Sequence, residues 1–147
     1  MEIIDIRNYT IKENDCFLFD TNIWVYLGEL FPDQNNPSEY SDFYEQILEK
    51  DILPKIILLN LGEVHNLYMN SKYNDLTREE KRNITRKNFR KSDDGKLHIA
   101  HINRHIKSIL ELSSKLSDDF ENTDLSKLLD TTETFDFNDN YILGVAE

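Results

Sequence analysis

Twice in this chain a short apolar run passes straight into a helical pattern with no turn between them. In "CFLFDTNIWVYL" (16–27), the four residues Cys16 to Phe19 read as a strand buried on both faces, with Cys16 as a small core residue. Asp20 follows at once, then a helical stretch from about Asn22 to Leu30. "KIILLNLGEVHNLYMNSKY" (55–73) repeats the arrangement: a buried strand over "KIILLN", then a helical pattern that carries Glu63. A strand apolar on both faces needs helices on both sides, and strands joined through helices run parallel. The expectation is an α/β fold, a three-layer α/β/α sandwich around a central parallel sheet. Ligands of such sheets bind beyond the carboxyl ends of the strands. Asp20 and Glu63 fall there.

The remaining pattern is helical and sparsely punctuated, with 4 Gly and 3 Pro in 147 residues. "FPDQNNPS" reads as a loop and Ser38 as the cap of a helix to about Lys50, which "DILP" ends because Pro54 cannot continue it. Thr77 and Glu80 form a capping box for a short basic helix, and "DDG" breaks it. A long amphipathic helix follows, with Ile99, Ile102, Ile106 and Ile109 on one stripe. "SDDFENTD" reads as a loop, 125–129 as a short helix, and "TFDFNDNYILGVAE" as a turn into a last helix whose Tyr141, Ile142 and Val145 face the sheet. The length predicts one domain over residues 1–147.

Four acids, Asp20, Glu63, Asp136 and Asp139, fall at or just before helix starts. Singly, each reads as a cap that accepts free N–H groups and favours the macrodipole; Asp136 and Asp139 have the spacing of an N-cap and its N3 partner. Together they have another reading. Acids that follow different parallel strands converge on one edge and repel unless a cation lies between them. Hard carboxylate oxygens suit Mg²⁺ or Mn²⁺ rather than zinc. A site of that kind polarises a phosphate and activates water for in-line attack on a phosphodiester.

In order, "FLFDTNIWVYL", "LLNLGEVHNLY" and "FDFNDNYILGVA" resemble the three acidic blocks of PIN-domain ribonucleases, across nearly the whole chain. The resemblance implies a metal-dependent ribonuclease that hydrolyses RNA phosphodiester bonds, as the toxin of a toxin–antitoxin pair in one form. It implies that Asp20, Glu63 and Asp139 are catalytic metal ligands, that Asp136 adds to the metal site, and that Thr21 and Asn22 arrange it. PIN domains continue past the third-block helix into another strand, often with a further acid. This chain stops at Glu147, so a PIN-like domain without its last strand and last acid is expected, with an uncovered sheet edge open to a homodimer. The alternative, from a different class, is a PIN-like module that no longer cuts and serves in binding. Haloacid-dehalogenase-like phosphatases offer a rival pattern, but laid on "DTNIW" only Asp20 matches; Asn22 and Trp24 occupy the second acid and Thr positions.

The net charge of −11 argues against broad electrostatic binding of nucleic acid. The charge is uneven, however. From Lys72 to Lys96 nine Lys or Arg stand against five acids, so this segment is +4 and the remainder −15. Arg78, Arg82, Arg86, Lys87, Arg90 and Lys91 are the candidate RNA phosphate contacts, and an acidic antitoxin or other protein partner would suit the same surface. His98, His101 and His105 share a helix face and read as flanking the isoleucine stripe; His65 packs or lines the cleft. The single cysteine permits no internal disulfide, and the N-terminus has no basic region followed by an apolar core. A cytoplasmic protein without a membrane partner is expected.

Overall fold

Three extended segments lie side by side in the computed structural model, which describes residues 5–28, 38–118, 120–123 and 137–146. β1 (Lys55–Ile56) is in the middle and pairs in parallel with β2 (Ser114–Lys115), Lys55 opposite Ser114. On its other side Leu18 bridges Lys55, whose N–H donates to the Phe17 carbonyl at 2.6 Å. The rest is mostly helical. The strand expected over Cys16–Phe19 is thus reduced to one bridge. Cys16 is exposed rather than in the core, and Phe19 is the buried member of the run.

The second strand is also shorter than its apolar run suggests. It stops at Ile56, and α3 (Leu58–Asp75) takes over the residues expected to finish it. Asn60 explains the switch: fully buried, its amide oxygen accepts the Ile57 N–H at 3.3 Å, satisfying a donor at the helix start that water cannot reach.

α1 (Thr21–Tyr26) and α6 (Asp93–Glu111) both pack on α3. Trp24 of α1, Val64, Tyr68 and Met69 of α3, and Ile102 and Ile109 of α6 are buried together, with Ile99 and Ile106 packed at the margin as the stripe predicts. α2 (Ser38–Glu49) adds Phe43 and Ile47 to that core. It ends before Pro54 is reached, because Asp51 takes a left-handed conformation (φ 57°) and the Ile52 N–H returns to the Ile47 carbonyl.

Thr77 and Glu80 form the expected capping box on α4 (Arg78–Asn83), and Thr85 caps a further turn, α5 (Arg86–Phe89). "DDG" does not break the chain. It is the first turn of α6, with Ser92 accepting the Gly95 N–H at 3.1 Å and both aspartates favouring the dipole. Gly95 lies so close to the Phe89 carbonyl that a β-carbon there would overlap it.

α7 (Phe137–Ala146) lays Tyr141 and Ile142 on Ile57, with Leu18, Leu59, Leu116 and Val145 around them. Its apolar face therefore covers the parallel segments, as the spacing predicts. The loop expected from Phe31, the short helix expected over 125–129 and Asp136 lie outside the described residues, apart from Ser38, which opens α2. Among the described residues no helix is long and apolar enough to cross a membrane.

Candidate functional site

Because the three segments run parallel, their carboxyl ends lie on one side, and an acid follows each of them in the chain. Asp20 comes directly after the first, α3 with Glu63 after β1, and Asp118 after β2. Asp20 caps α1: its carboxylate accepts the Thr21 N–H at 2.6 Å, the Asn22 N–H at 3.3 Å and the Asn22 side-chain amide at 3.0 Å. The Asn22 amide thereby holds one Asp20 oxygen. Thr21 is buried and donates its hydroxyl to Glu63 Oε2, while that same hydroxyl accepts from Asn60 Nδ2 at 3.2 Å. Asn138 Nδ2 donates to Glu63 Oε1.

These contacts form one chain, Asp20–Thr21–Glu63–Asn138, which links the three acidic blocks. Glu63 reaches it from inside α3 rather than from the helix start, because α3 begins earlier than expected. In the third block the side chain that meets Glu63 is Asn138; Asp139, the next residue, is exposed. Asn60, Asp118 and Asn138 are not singled out by the sequence patterns. Asn60 sits within an apolar run that reads as strand. Asp118 comes after a strand of two residues, inside a segment that reads as loop.

Beside Glu63 is an open cleft of about 550 Å³, lined by Leu58, Leu59, Gly62, Glu63, Asn66, Asp118, Asn138 and Tyr141. The Tyr141 hydroxyl donates to Asp118 Oδ2 at 2.7 Å. Burial, reinforced by that carboxylate, pushes the phenol up to about 12, so it remains a donor across the physiological range.

The donor set fits a hard cation in part. Among the described residues neither Asp20 nor Glu63 has a Lys or Arg partner; the ion pairs there are Arg7–Asp5 and Lys96–Asp93. Among the described residues, neutral N–H and O–H donors hold both carboxylates. Mg²⁺ is commonly held by one or two carboxylates while keeping several waters, and Asp20 and Glu63 are ligands of that kind. Among the described residues no three His, Cys, Asp or Glu side chains gather as a ready coordination cage.

The basic segment touches the cleft at one point. Arg90 donates from Nη2 to Asn66 Oδ1 at 3.2 Å, and Asn66 lines the cleft one helical turn from Glu63. Arg86 lies over the Tyr73 ring at 5.5 Å, with Lys81 over the same ring at 6.0 Å. Arg78, Arg82, Lys87 and Lys91 are exposed on the same stretch. His98 and His105 turn to α3, where their Nε2 atoms lie 3.1 Å from the Tyr68 carbonyl and 3.2 Å from its hydroxyl. His101 is exposed.

Burial chiefly, then Arg90 and His98, hold the His65 imidazole below its usual 6.5. The folded state thus favours neutral His65. Its contribution to stability is present above the unfolded value and is lost as pH falls through the lowered one. An NMR titration of His65 is expected to give a midpoint below 6.5, rising part of the way back in Arg90→Gln. A midpoint unmoved by that substitution would separate Arg90 from this corner of the fold.

Comparison with protein-family models, curated proteins and solved structures finds no match for this chain.

Proposed function

We propose that the chain is a PIN-type, metal-dependent ribonuclease, with its parallel segments as the centre of a three-layer α/β/α arrangement. The hydrogen-bonded chain Asp20–Thr21–Glu63–Asn138 carries this reading, because it joins residues of all three acidic blocks at the carboxyl edge of parallel segments. Asp20 and Glu63 would hold Mg²⁺ or Mn²⁺, with Asp118 at the same edge and Asp139 next to Asn138 in the sequence. When bound, the ion would polarise a phosphate and lower the pKa of water for attack on phosphorus. Thr21 and Asn138 fix Glu63, and Asn22 fixes Asp20, so the carboxylates are oriented before substrate arrives. Arg90 supplies a cation at the cleft rim, and the exposed cations from Arg78 to Lys91 extend it along the strand of RNA.

A second reading, a binding module that does not cut, is favoured by one observation: the third block presents an amide, Asn138, rather than a carboxylate to Glu63. One experiment separates the two. Single-stranded RNA incubated with Mg²⁺ or Mn²⁺ at low salt is expected to be cleaved, and chelation to stop it. Changing Arg86, Lys87, Arg90 and Lys91 to Gln is expected to flatten the dependence of log K on log salt by up to roughly 3, at about 0.7 per phosphate contact on a single strand. Salt-dependent binding without cleavage under either metal would favour the binding module. Binding unaltered by the four substitutions would make the segment a solvated face.

A further inference from the structure

Two unlike kinds of surface line the cleft beside Glu63. One is apolar and open: Leu58 is 76% exposed, and a β-carbon built on Gly62 would meet no atom within 4 Å. The other carries fixed polar groups. Asp118 is held through one oxygen by the Tyr141 hydroxyl, which leaves the carboxylate as an acceptor set at a defined place. Asn66 is oriented too. Its carbonyl oxygen accepts from Arg90, so its amide nitrogen is the end available to a ligand as a donor. A flat group with an apolar face and an edge bearing both donors and acceptors matches these surfaces, and the cleft volume lies in the range of small-molecule pockets.

We infer that this cleft receives one unstacked nucleobase of a single-stranded RNA, next to the phosphate that Asp20 and Glu63 address. The base lies against Leu58 and Gly62, its edge meets the Asn66 amide and Asp118, and Arg90 takes an adjoining phosphate. Apolar and hydrogen-bonding contacts to a splayed base are the usual means of recognising single-stranded RNA. The placement deepens the ribonuclease reading and rests on it for the neighbouring phosphate, but base capture itself needs neither metal nor cleavage.

Nucleosides are therefore the probe, since they carry no phosphate. In the full chain without divalent metal, adenosine, guanosine, cytidine and uridine are titrated while the backbone amides of Gly62, Asn66 and Asn138 are followed by NMR. At least one nucleoside is expected to shift these amides saturably. Gly62→Leu fills open space on a helix surface, so it is expected to keep the melting temperature and any Mn²⁺ response while weakening nucleoside binding at least about tenfold. Leu58→Ser, at a position exposed enough to spare the fold, is expected to weaken it less. No saturable shift with any nucleoside, or shifts unchanged in both variants, overturns the inference. Nucleoside binding that persists in a chain with no metal response and no cleavage retains the base pocket and removes the nuclease.

Discussion

Asn60→Leu is expected to destabilise the protein by about 2–4 kcal/mol, although the replacement is apolar, similar in size and placed in an apolar run. The Asn60 side chain is fully buried and makes two bonds. Its oxygen accepts the Ile57 N–H, and its nitrogen donates to Thr21 Oγ1. Leucine leaves the Ile57 donor buried without an acceptor, at about 1–3 kcal/mol, and removes the donor that sets the Thr21 hydroxyl. For a chain of this length the loss corresponds to a fall in Tm of about 5–15 °C. Asn66→Leu, on the exposed side of the same helix, is the control and is expected to change Tm little. A loss below about 1 kcal/mol in Asn60→Leu would mean that the start of α3 does not depend on this amide.

Asn60 also marks the limit of what an apolar pattern can decide. Periodicity indicates that there are two junctions between an extended run and a helix, although in the first run only Phe19 is buried and Leu18 makes a single bridge. It cannot locate where strand gives way to helix within "KIILLNLG", since a short apolar run suits either state. The decision falls to a tertiary contact, the fit of Asn60 between Ile57 and Thr21. "DDG" misleads differently. Its glycine reads as a breaker, yet Ser92 followed by two acids is a helix-start signal present in the sequence. Gly95 is there because the Phe89 carbonyl leaves no room for a β-carbon. In the third block, a helix start one residue before Asn138 brings that side chain to Glu63. Periodicity with an uncertain phase cannot distinguish neighbouring residues about 100° apart on a helix. Asp20 and Glu63 stand out in the sequence as acids near helix starts; the amides of Asn60 and Asn138, which meet Thr21 and Glu63, do not.

If the proposed metal site is real, Asp20→Asn is expected to abolish the rise in Tm that Mn²⁺ would give and to lower RNA cleavage by about 10³-fold, while the apo protein keeps most of its stability. The substitution separates two roles of one residue. As an N-cap, asparagine keeps the oxygen that accepts the Thr21 N–H and loses only the acceptor for the exposed Asn22 donors, so most of the cap remains. As a ligand it is much weaker, since the negative charge is gone. A metal at about 100 times its Kd stabilises the native state by about 2.7 kcal/mol, and that gain should vanish. A cleavage loss of about 10³ corresponds to about 4 kcal/mol of transition-state stabilisation, within what an ion contributes at a phosphate. Asp20→Ala is expected to lose both roles and to cost about 1 kcal/mol more in the absence of metal. The complementary test adds charge. Asn138→Asp sets a carboxylate where an amide now donates to Glu63, so without metal the two acids repel and Tm falls. With Mn²⁺ the same pair becomes a better site, and the metal-induced rise should exceed that of the parent chain. If Mn²⁺ stabilises Asp20→Asn as much as the parent, and Asn138→Asp gains nothing from it, the carboxyl edge holds helix caps and a half-buried glutamate, and no metal centre.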